Sequence, residues 1–371
     1  MRILQISSAK NFGGGERHLV DLTKGLINRR HDLFLAAPRN SPVFKKIAEL
    51  PKENVLEVNI KNSLDIFAAR KISKFVREKE IEIVHAHLAK DYLPASLAVH
   101  LTRRANLVLT RHVLFPMKKT QKHALKNVSK IIAVSSAVKV NLQKTFPSEK
   151  IIIIPNGIDI ENWASVDREK LRQAFRFEHN ISFDALLIGT VGELKLLKGQ
   201  RDFVLAAQQV AQKFPEAHFV VVGKDNSSKQ NFRCELKRLV KVFGLENRFL
   251  WLDWIEETAP LLSALDIFVS ASHSESFGLA ILEAMASGCA IVSTETEGAK
   301  ELIEDEKMGK LVPVENPNQL AKAIIELSED KQSRGKFGKN AQKSAKEKFG
   351  SAEMISKTEK IYRQVLRMRN D

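Results

Sequence analysis

Residues 266–294 read DIFVSASHSESFGLAILEAMASGCAIVST. Ile267 to Val269 is an apolar run of strand length, and Ala271 to Ser276 is a polar loop. From Phe277 the chain resumes as a ten-residue apolar helical run that stops at Gly288, before a second strand from Ala290 to Ser293. Glu283 falls inside Gly-Leu-Ala-Ile-Leu-Glu-Ala-Met-Ala, where a charge must either reach water or meet a partner that offsets its desolvation. A solvated stripe on an amphipathic helix is one reading of that position. The other takes in Glu275, eight positions earlier in the loop feeding the helix, so that both carboxylates line one cleft at the helix N-terminus. Phe277, Gly278 and Leu279 there offer backbone N–H groups and the positive end of the helix dipole, a setting for a phosphate. A phosphate flanked by carboxylates that accept from hydroxyls fits a sugar nucleotide.

Outward from this unit, strands and helices alternate in both directions. The pattern predicts an α/β protein of two doubly wound, parallel-sheet, Rossmann-like domains facing across a cleft. A first buried strand, Arg2 to Ile6, leads into Gly13-Gly14-Gly15-Glu16-Arg17-His18, which opens an amphipathic helix through Leu26. Such a glycine loop serves either as a tight turn or as a close backbone approach to a ligand. A helix is expected from Ser63 to Lys79 with Leu64, Phe67, Ala68, Ile72, Phe75 and Val76 on its packed face. Strands are expected at Ile81 to Ala86, Asn106 to Thr110 and Ile131 to Ser135. The boundary is placed in the polar stretch 160–180, giving domains 1–165 and 166–350, with the last helix, 351–371, expected to cross back to the first domain.

Composition excludes several classes. At 371 residues with 44% hydrophobic and 28% charged side chains, the chain is globular, with no apolar run long enough to span a bilayer. The start, MRILQISSAK, reads as a strand and not a signal peptide. Cys234 and Cys289 have no redox or metal spacing, so reduced thiols in a cytoplasmic protein are expected. The net charge of +15 implies an anionic partner or surface. Nucleic acid is not expected, because the basic residues are dispersed with few interleaved aromatics. An anionic membrane leaflet ranks ahead of it, with the chain then peripheral on the inner face of the cytoplasmic membrane, and a soluble protein that simply has a basic pI is the third reading. The densest basic stretch, Pro116 to Lys130, with Lys118, Lys119, Lys122, His123, Lys126 and Lys130, is the segment expected to dock on anionic lipid or a phosphorylated acceptor. His85 and His87 at i, i+2 point the same way from a strand, but two ligands with no third nearby do not make a metal site, and none is expected.

Glu-Ser-Phe-Gly-Leu-Ala-Ile-Leu-Glu, residues 275–283, resembles the E-x-F-G-x-x-x-x-E signature of the family-four retaining glycosyltransferases (glycosyl transferases group 1), which have the two-domain GT-B fold. The resemblance implies that Glu275 approaches sugar hydroxyls. It also implies that the amides of Phe277, Gly278 and Leu279 hold the donor phosphates and that Glu283 binds the ribose. Gly-Gly-x-Glu-Arg-His resembles the N-terminal loop of the same enzymes and makes Gly14 and Gly15 donor-side candidates. His112, after the strand ending at Thr110, aligns with the histidine that approaches the donor sugar. Pro155-Asn156-Gly157-Ile158-Asp159 resembles a motif at the end of the N-terminal domain. In Gly192-Glu193-Leu194-Lys195-Leu196-Leu197-Lys198-Gly199 the family's diphosphate-gripping lysine is matched by Lys198. Glu193 stands where the family has arginine, and Lys195 is the candidate to substitute for it. Glu297-Gly298-Ala299-Lys300-Glu301 resembles the family's G-G-x-x-E with its first glycine replaced, which puts that loop's shape in question.

The expected function is therefore retaining transfer of a sugar from a UDP-, GDP- or ADP-linked donor to a glycan or lipid-linked acceptor, without a metal or other cofactor. The expected setting is cell-envelope polysaccharide, lipopolysaccharide or glycolipid synthesis. Two alternatives stand beside it. A GT-B sugar-nucleotide epimerase would turn over donor without acceptor. A non-catalytic polyanion- or membrane-binding protein with a degenerate donor site would account for the charge and Glu193 together.

Overall fold

A computed structural model describes residues 1–117, 121 and 124–370. These divide into two compact units, Met1–Gly157 with Ser351–Asp371, and Ile158–Gly350. The division falls at 157/158 and not at 165/166, because the residues after Ile158 fold with the second unit. Ile158 bridges to Gly350, and the short helix Ile160–Ala164, capped by Asp159, packs on helix Leu279–Ser287.

Unit 1 holds β1 (Arg2–Ile6), β2 (Asp32–Ala37), β3 (Val55–Glu57), β4 (Ile83–Ala86), β5 (Asn106–Arg111), β6 (Val128–Ala133) and β7 (Ile151–Ile153). They form one sheet in the order β3-β2-β1-β4-β5-β6-β7, and the pairs run parallel. Unit 2 holds β8 (Leu187–Val191), β9 (His218–Val222), β10 (Phe249–Leu252), β11 (Ile267–Ser270), β12 (Ala290–Thr294) and β13 (Lys310–Val312), ordered β10-β9-β8-β11-β12-β13 and again parallel. Strands such as Phe-Val-Val-Val in β9 are apolar at consecutive positions because helices cover both faces, so alternation is lost. In each sheet the chain direction of winding reverses once, at β1/β4 and at β8/β11. In open parallel sheets the carboxyl ends of the strands at that reversal are where ligands are held.

Helix Ser351–Asn370 belongs to unit 1, where Met354, Ile355, Ile361, Tyr362 and Val365 join Leu22 and Leu26 of helix Gly14–Asn28 in one core. Its Glu359 carboxylate meets Arg29 at 2.7 Å, His31 at 3.1 Å and Arg363 at 2.6 Å. Burial acts to raise that carboxyl, and the hydrogen bonds from Arg29, Arg363 and His31 outweigh it and pull it down to about 2.

Three expectations change. The helix expected from Ser63 begins at Ile66, capped by Asp65, whose side chain accepts from Ala68 N. Leu64, before the cap, is 78% exposed, and Phe67, on the helix face of Arg70, Lys71 and Lys74, is 82% exposed, while Ala68, Ala69, Ile72, Phe75 and Val76 form the packed face. The polar stretch 160–180 contains a full helix, Arg168–Glu178, that buries Phe175 and Arg176. The strand expected at Ile131 to Ser135 is β6, three residues earlier at its start, and Ser135 caps the following helix by accepting from Val138 N. Lys118, Lys119, Lys122 and His123 of the basic stretch lie outside the described residues. Cys234 is exposed and Cys289 buried, both as free thiols. Among the described residues no helix is long and apolar enough to cross a membrane.

Candidate functional site

Each unit carries a group of polar side chains at the reversal of its sheet. In unit 2 the group is built on the loops after β8 and β11. The loop after β8 ends in a single helical turn, Leu196–Lys198, and Gly199 then starts helix Gln200–Lys213 with φ +64°. A Cβ on Gly199 would lie 1.8 Å from the Ala271 carbonyl oxygen, so only glycine lets this loop press against the end of β11. His273 N donates to Leu197 O at 2.9 Å, and His273 Nε2 meets Asp202 at 2.7 Å, which pins the two loops together. Held this way, the Lys198 ammonium donates to the Glu275 carboxylate in a direct ion pair.

Gly278, with φ +97°, caps helix Leu279–Ser287 without a side-chain hydrogen bond, so the first-turn amides are left for another acceptor. Glu283, one turn on, is 8% exposed and accepts from Thr258 Oγ1 at 3.0 Å. The solvated-stripe reading of Glu283 therefore does not hold. Gly298 N donates to Glu275 O at 3.0 Å, and a Cβ on Gly298 would lie 2.6 Å from Phe277 N. The glycine this loop requires is thus Gly298. Glu297 sits in the first turn of helix Glu297–Leu302, capped by Thr296 and paired with Lys300.

Glu193 is the family departure, and its charge has a partner. Lys195 Nζ meets it at 2.6 Å and Asn226 Nδ2 donates at 3.0 Å. Burial acts to raise this carboxyl, but those hydrogen bonds and the nearby Lys198 charge lower it below the usual range. Lys195 is therefore tied to Glu193, while Lys198 alone of the two lysines pairs with Glu275.

In unit 1 the group lies at the carboxyl ends of β1, β4 and β5. His85 is fully buried, with Nδ1 at 2.5 Å from Tyr362 Oη and Nε2 at 2.7 Å from Thr110 Oγ1. His87 Nε2 meets Gln5 Oε1 at 2.8 Å. The ring of His112 stands 4.8 Å from that of His18 and 5.9 Å, stacked, from that of His87. Gly15 faces the same ring, its built Cβ 3.6 Å from His112 Cδ2, and Glu16 folds back to accept from Gly13 N at 3.0 Å. Gly14 is the first residue of the helix. Burial, reinforced by neighbouring imidazoles, holds His85, His87 and His112 well below the ordinary histidine value. Burial lowers His18 to about 4; the Asn156 side chain beside it acts the other way without reaching full hydrogen-bond geometry. These rings are neutral at pH 7. The pairing of His85 with His87 along one strand omits His18, which helix Gly14–Asn28 places beside them. Its position one helical turn after Gly14 and Gly15 was the available signal.

The family described as Glycosyl transferases group 1 matches residues 172–344, and the family described as Glycosyltransferase Family 4 matches residues 12–162. An N-acetyl-alpha-D-glucosaminyl L-malate synthase of Bacillus anthracis is 26% identical over 317 residues, covering 82% of this chain and 80% of its own. A UDP-Gal:alpha-D-GlcNAc-diphosphoundecaprenol alpha-1,3-galactosyltransferase of Escherichia coli is 24% identical over 354 residues, 89% of each. Among solved structures, Anabaena Alr3699/HepE in complex with UDP-glucose superposes with a TM-score of 0.84 at 25% identity, covering 96% of this chain and 99% of its own. A glycosyltransferase of Rickettsia africae gives 0.85 at 23% identity, with 98% of each covered. With the two matches together spanning both units and the fold shared end to end, the chain belongs to the family-four, group 1 glycosyltransferases of the GT-B fold and is an enzyme of that class.

Proposed function

We propose that the chain transfers a glycosyl unit from a nucleotide sugar to an acceptor hydroxyl with retention of anomeric configuration, in the synthesis of a cell-envelope glycan or glycolipid. The observation that carries this reading is the Lys198–Glu275 pair at the carboxyl ends of β8 and β11, beside the glycine-capped start of helix Leu279–Ser287. In the reaction the bond from the sugar's anomeric carbon to the phosphate oxygen breaks and a bond to the acceptor oxygen forms. The acceptor proton passes to the departing phosphate oxygen. Charge therefore builds on the diphosphate, and Lys198 with the amides of Phe277, Gly278 and Leu279 supplies fixed positive ends to meet it. Because those groups carry the charge, the transfer step itself requires no metal. Glu283 takes the ribose hydroxyls, Glu275 and the neutral His112 take sugar hydroxyls, and Gly14 and Gly15 lie on the donor side, as the family resemblance implies.

The acceptor is a lipid-linked glycan at an anionic membrane surface. In support, unit 1 has a groove of about 590 Å³ lined in part by Leu64, Ile66, Leu93, Pro94 and Leu97, with Asp65 and Lys126 among its polar lining. Leu64 and Phe67 are exposed, and apolar side chains of this kind suit a lipid surface. The Escherichia coli relative is named for a diphosphoundecaprenol-linked acceptor. Vesicle co-sedimentation should show a preference for anionic over neutral lipid that weakens in a Leu64→Ser, Phe67→Ser double variant. Equal recovery with both lipid types would remove the membrane part of the reading.

The donor site is tested by thermal shift with UDP-, GDP-, ADP- and CMP-sugars and the free nucleotides. A ligand at a hundred times its Kd adds about 2.7 kcal/mol of apparent stability. One nucleotide class, UDP before the others given the UDP-glucose complex of the similar fold, should raise Tm, and Glu283→Ala should abolish most of that rise. Equal shifts in the parent and Glu283→Ala chains would overturn the assignment of Glu283, and no shift with any donor would overturn the site.

A further inference from the structure

We propose that His18, His87 and His112 form a three-imidazole binding site for a divalent transition-metal ion of the zinc, cobalt, nickel and copper class. The ligating nitrogens of the three rings lie within 4.8 Å of one another. A tetrahedral ion with bonds of about 2.0–2.1 Å needs separations of about 3.3 Å, so modest ring rotations close the site. The three rings come from separate elements, helix Gly14–Asn28, the residue after β4 and the residue after β5, which gives convergence that no single strand spacing provides.

The partners of these rings favour ligation. Gln5 Oε1 can only accept, so His87 Nε2 carries the proton and its Nδ1 carries the lone pair. That Nδ1 is buried and has no hydrogen-bond partner among the described residues; the same is true of both nitrogens of His18. A histidine whose far nitrogen is anchored on an oxygen while its near nitrogen is left to a metal is the usual arrangement around bound ions. Asn156 Oδ1, also buried and without a partner among the described residues, lies beside His18 and can fix that ring in the same way. His18 and His87 are 2% and 3% exposed, while His112 is only part-buried and gives the site its opening. Imidazoles without a carboxylate select borderline ions over magnesium or calcium, which prefer oxygen ligands.

His112 is shared with the sugar contact proposed above, and the test reads metal binding alone, without donor or acceptor. The full-length chain, freed of any histidine tag and stripped with EDTA, is titrated with Co²⁺ and followed by visible absorption. One Co²⁺ per chain should bind with visible bands, Zn²⁺ should bleach them, and Mg²⁺ should not. His18→Ala and His87→Ala should each weaken Co²⁺ binding at least tenfold, with circular dichroism confirming the fold. Should either variant misfold, Gln5→Ala, which removes the anchor of His87 together with a 3.5 Å hydrogen bond to Tyr362 Oη, should still weaken binding. Absence of stoichiometric Co²⁺ binding by the parent chain, or undiminished binding in the folded variants, would overturn the proposal.

Discussion

Replacing Arg176 with alanine is expected to lower the stability of unit 2 by about 3–5 kcal/mol, the cost of leaving a buried ion pair half broken. The side chain is 1% exposed. Its Nη2 meets Asp266 Oδ2 at 2.9 Å, and its remaining donors reach the carbonyls of Ala264, Ser182, Phe183 and Ala185 at 2.8–3.2 Å. Asp266 also accepts from Leu187 N at 2.8 Å, so this one guanidinium fixes the entries to β8 and β11 together. Those are the strands whose far ends carry Lys198 and Glu275. Arg172 pairs with the same carboxylate at 3.0 Å but is 19% exposed, so water replaces it more readily. Arg172→Ala should therefore cost about 1 kcal/mol or less. The three tryptophans, Trp163, Trp251 and Trp254, all fall in unit 2, so their fluorescence during urea unfolding reports that unit. A midpoint for Arg176→Ala no lower than that of Arg172→Ala would contradict the assignment.

The same residue marks where reading the sequence stops short. Helix Arg168–Glu178 is legible only if Arg176 is counted on its packed face, and Arg-Glu-Lys-Leu-Arg-Gln-Ala-Phe-Arg-Phe-Glu offers two apolar positions there, Leu171 and Phe175, too few for a hydrophobic period. The stretch therefore reads as a polar boundary until Asp266, ninety residues away, is brought against it. Leu64 and Phe67 fail in the opposite sense. Asp65 caps the helix from Ile66 to Glu78 and leaves Leu64 before it, while Phe67 lies inside the helix on the exposed face of Arg70, Lys71 and Lys74. By contrast Glu275 to Glu283 is legible almost residue for residue, because the loop, the Phe-Gly turn and the helix are all local. The partners of these carboxylates, Lys198 and Thr258, lie 77 and 25 residues away and come only with the fold. The histidines divide along the same line: His85 and His87 are visible as a strand pair, whereas joining His18 and His112 to them takes a second strand of the sheet and a helix.

Lys198→Ala is expected to lower kcat by about 10²–10³-fold, the range seen when one preorganised donor to a developing anion is removed. Two terms act in the same direction. The ammonium that would meet the leaving diphosphate is lost, and Glu275, which it neutralises, is left as an uncompensated anion beside the phosphates. Glu275→Gln separates them, since it removes the repulsion and keeps the cation. The double variant Lys198→Ala, Glu275→Gln should therefore lose less than the product of the two single losses, a coupling that independent roles would not produce. Lys195 provides the contrast. Its ammonium is held by Glu193 at 2.6 Å, so Lys195→Ala should cost about tenfold at most, through Glu193 left unpaired. Initial rates at saturating acceptor, with the donor identified by thermal shift, measure all four variants. A Lys195→Ala loss as large as that of Lys198→Ala would mean that Lys195 leaves Glu193 to grip the donor and substitutes for the family arginine. Lys198 would then share the diphosphate instead of holding it alone.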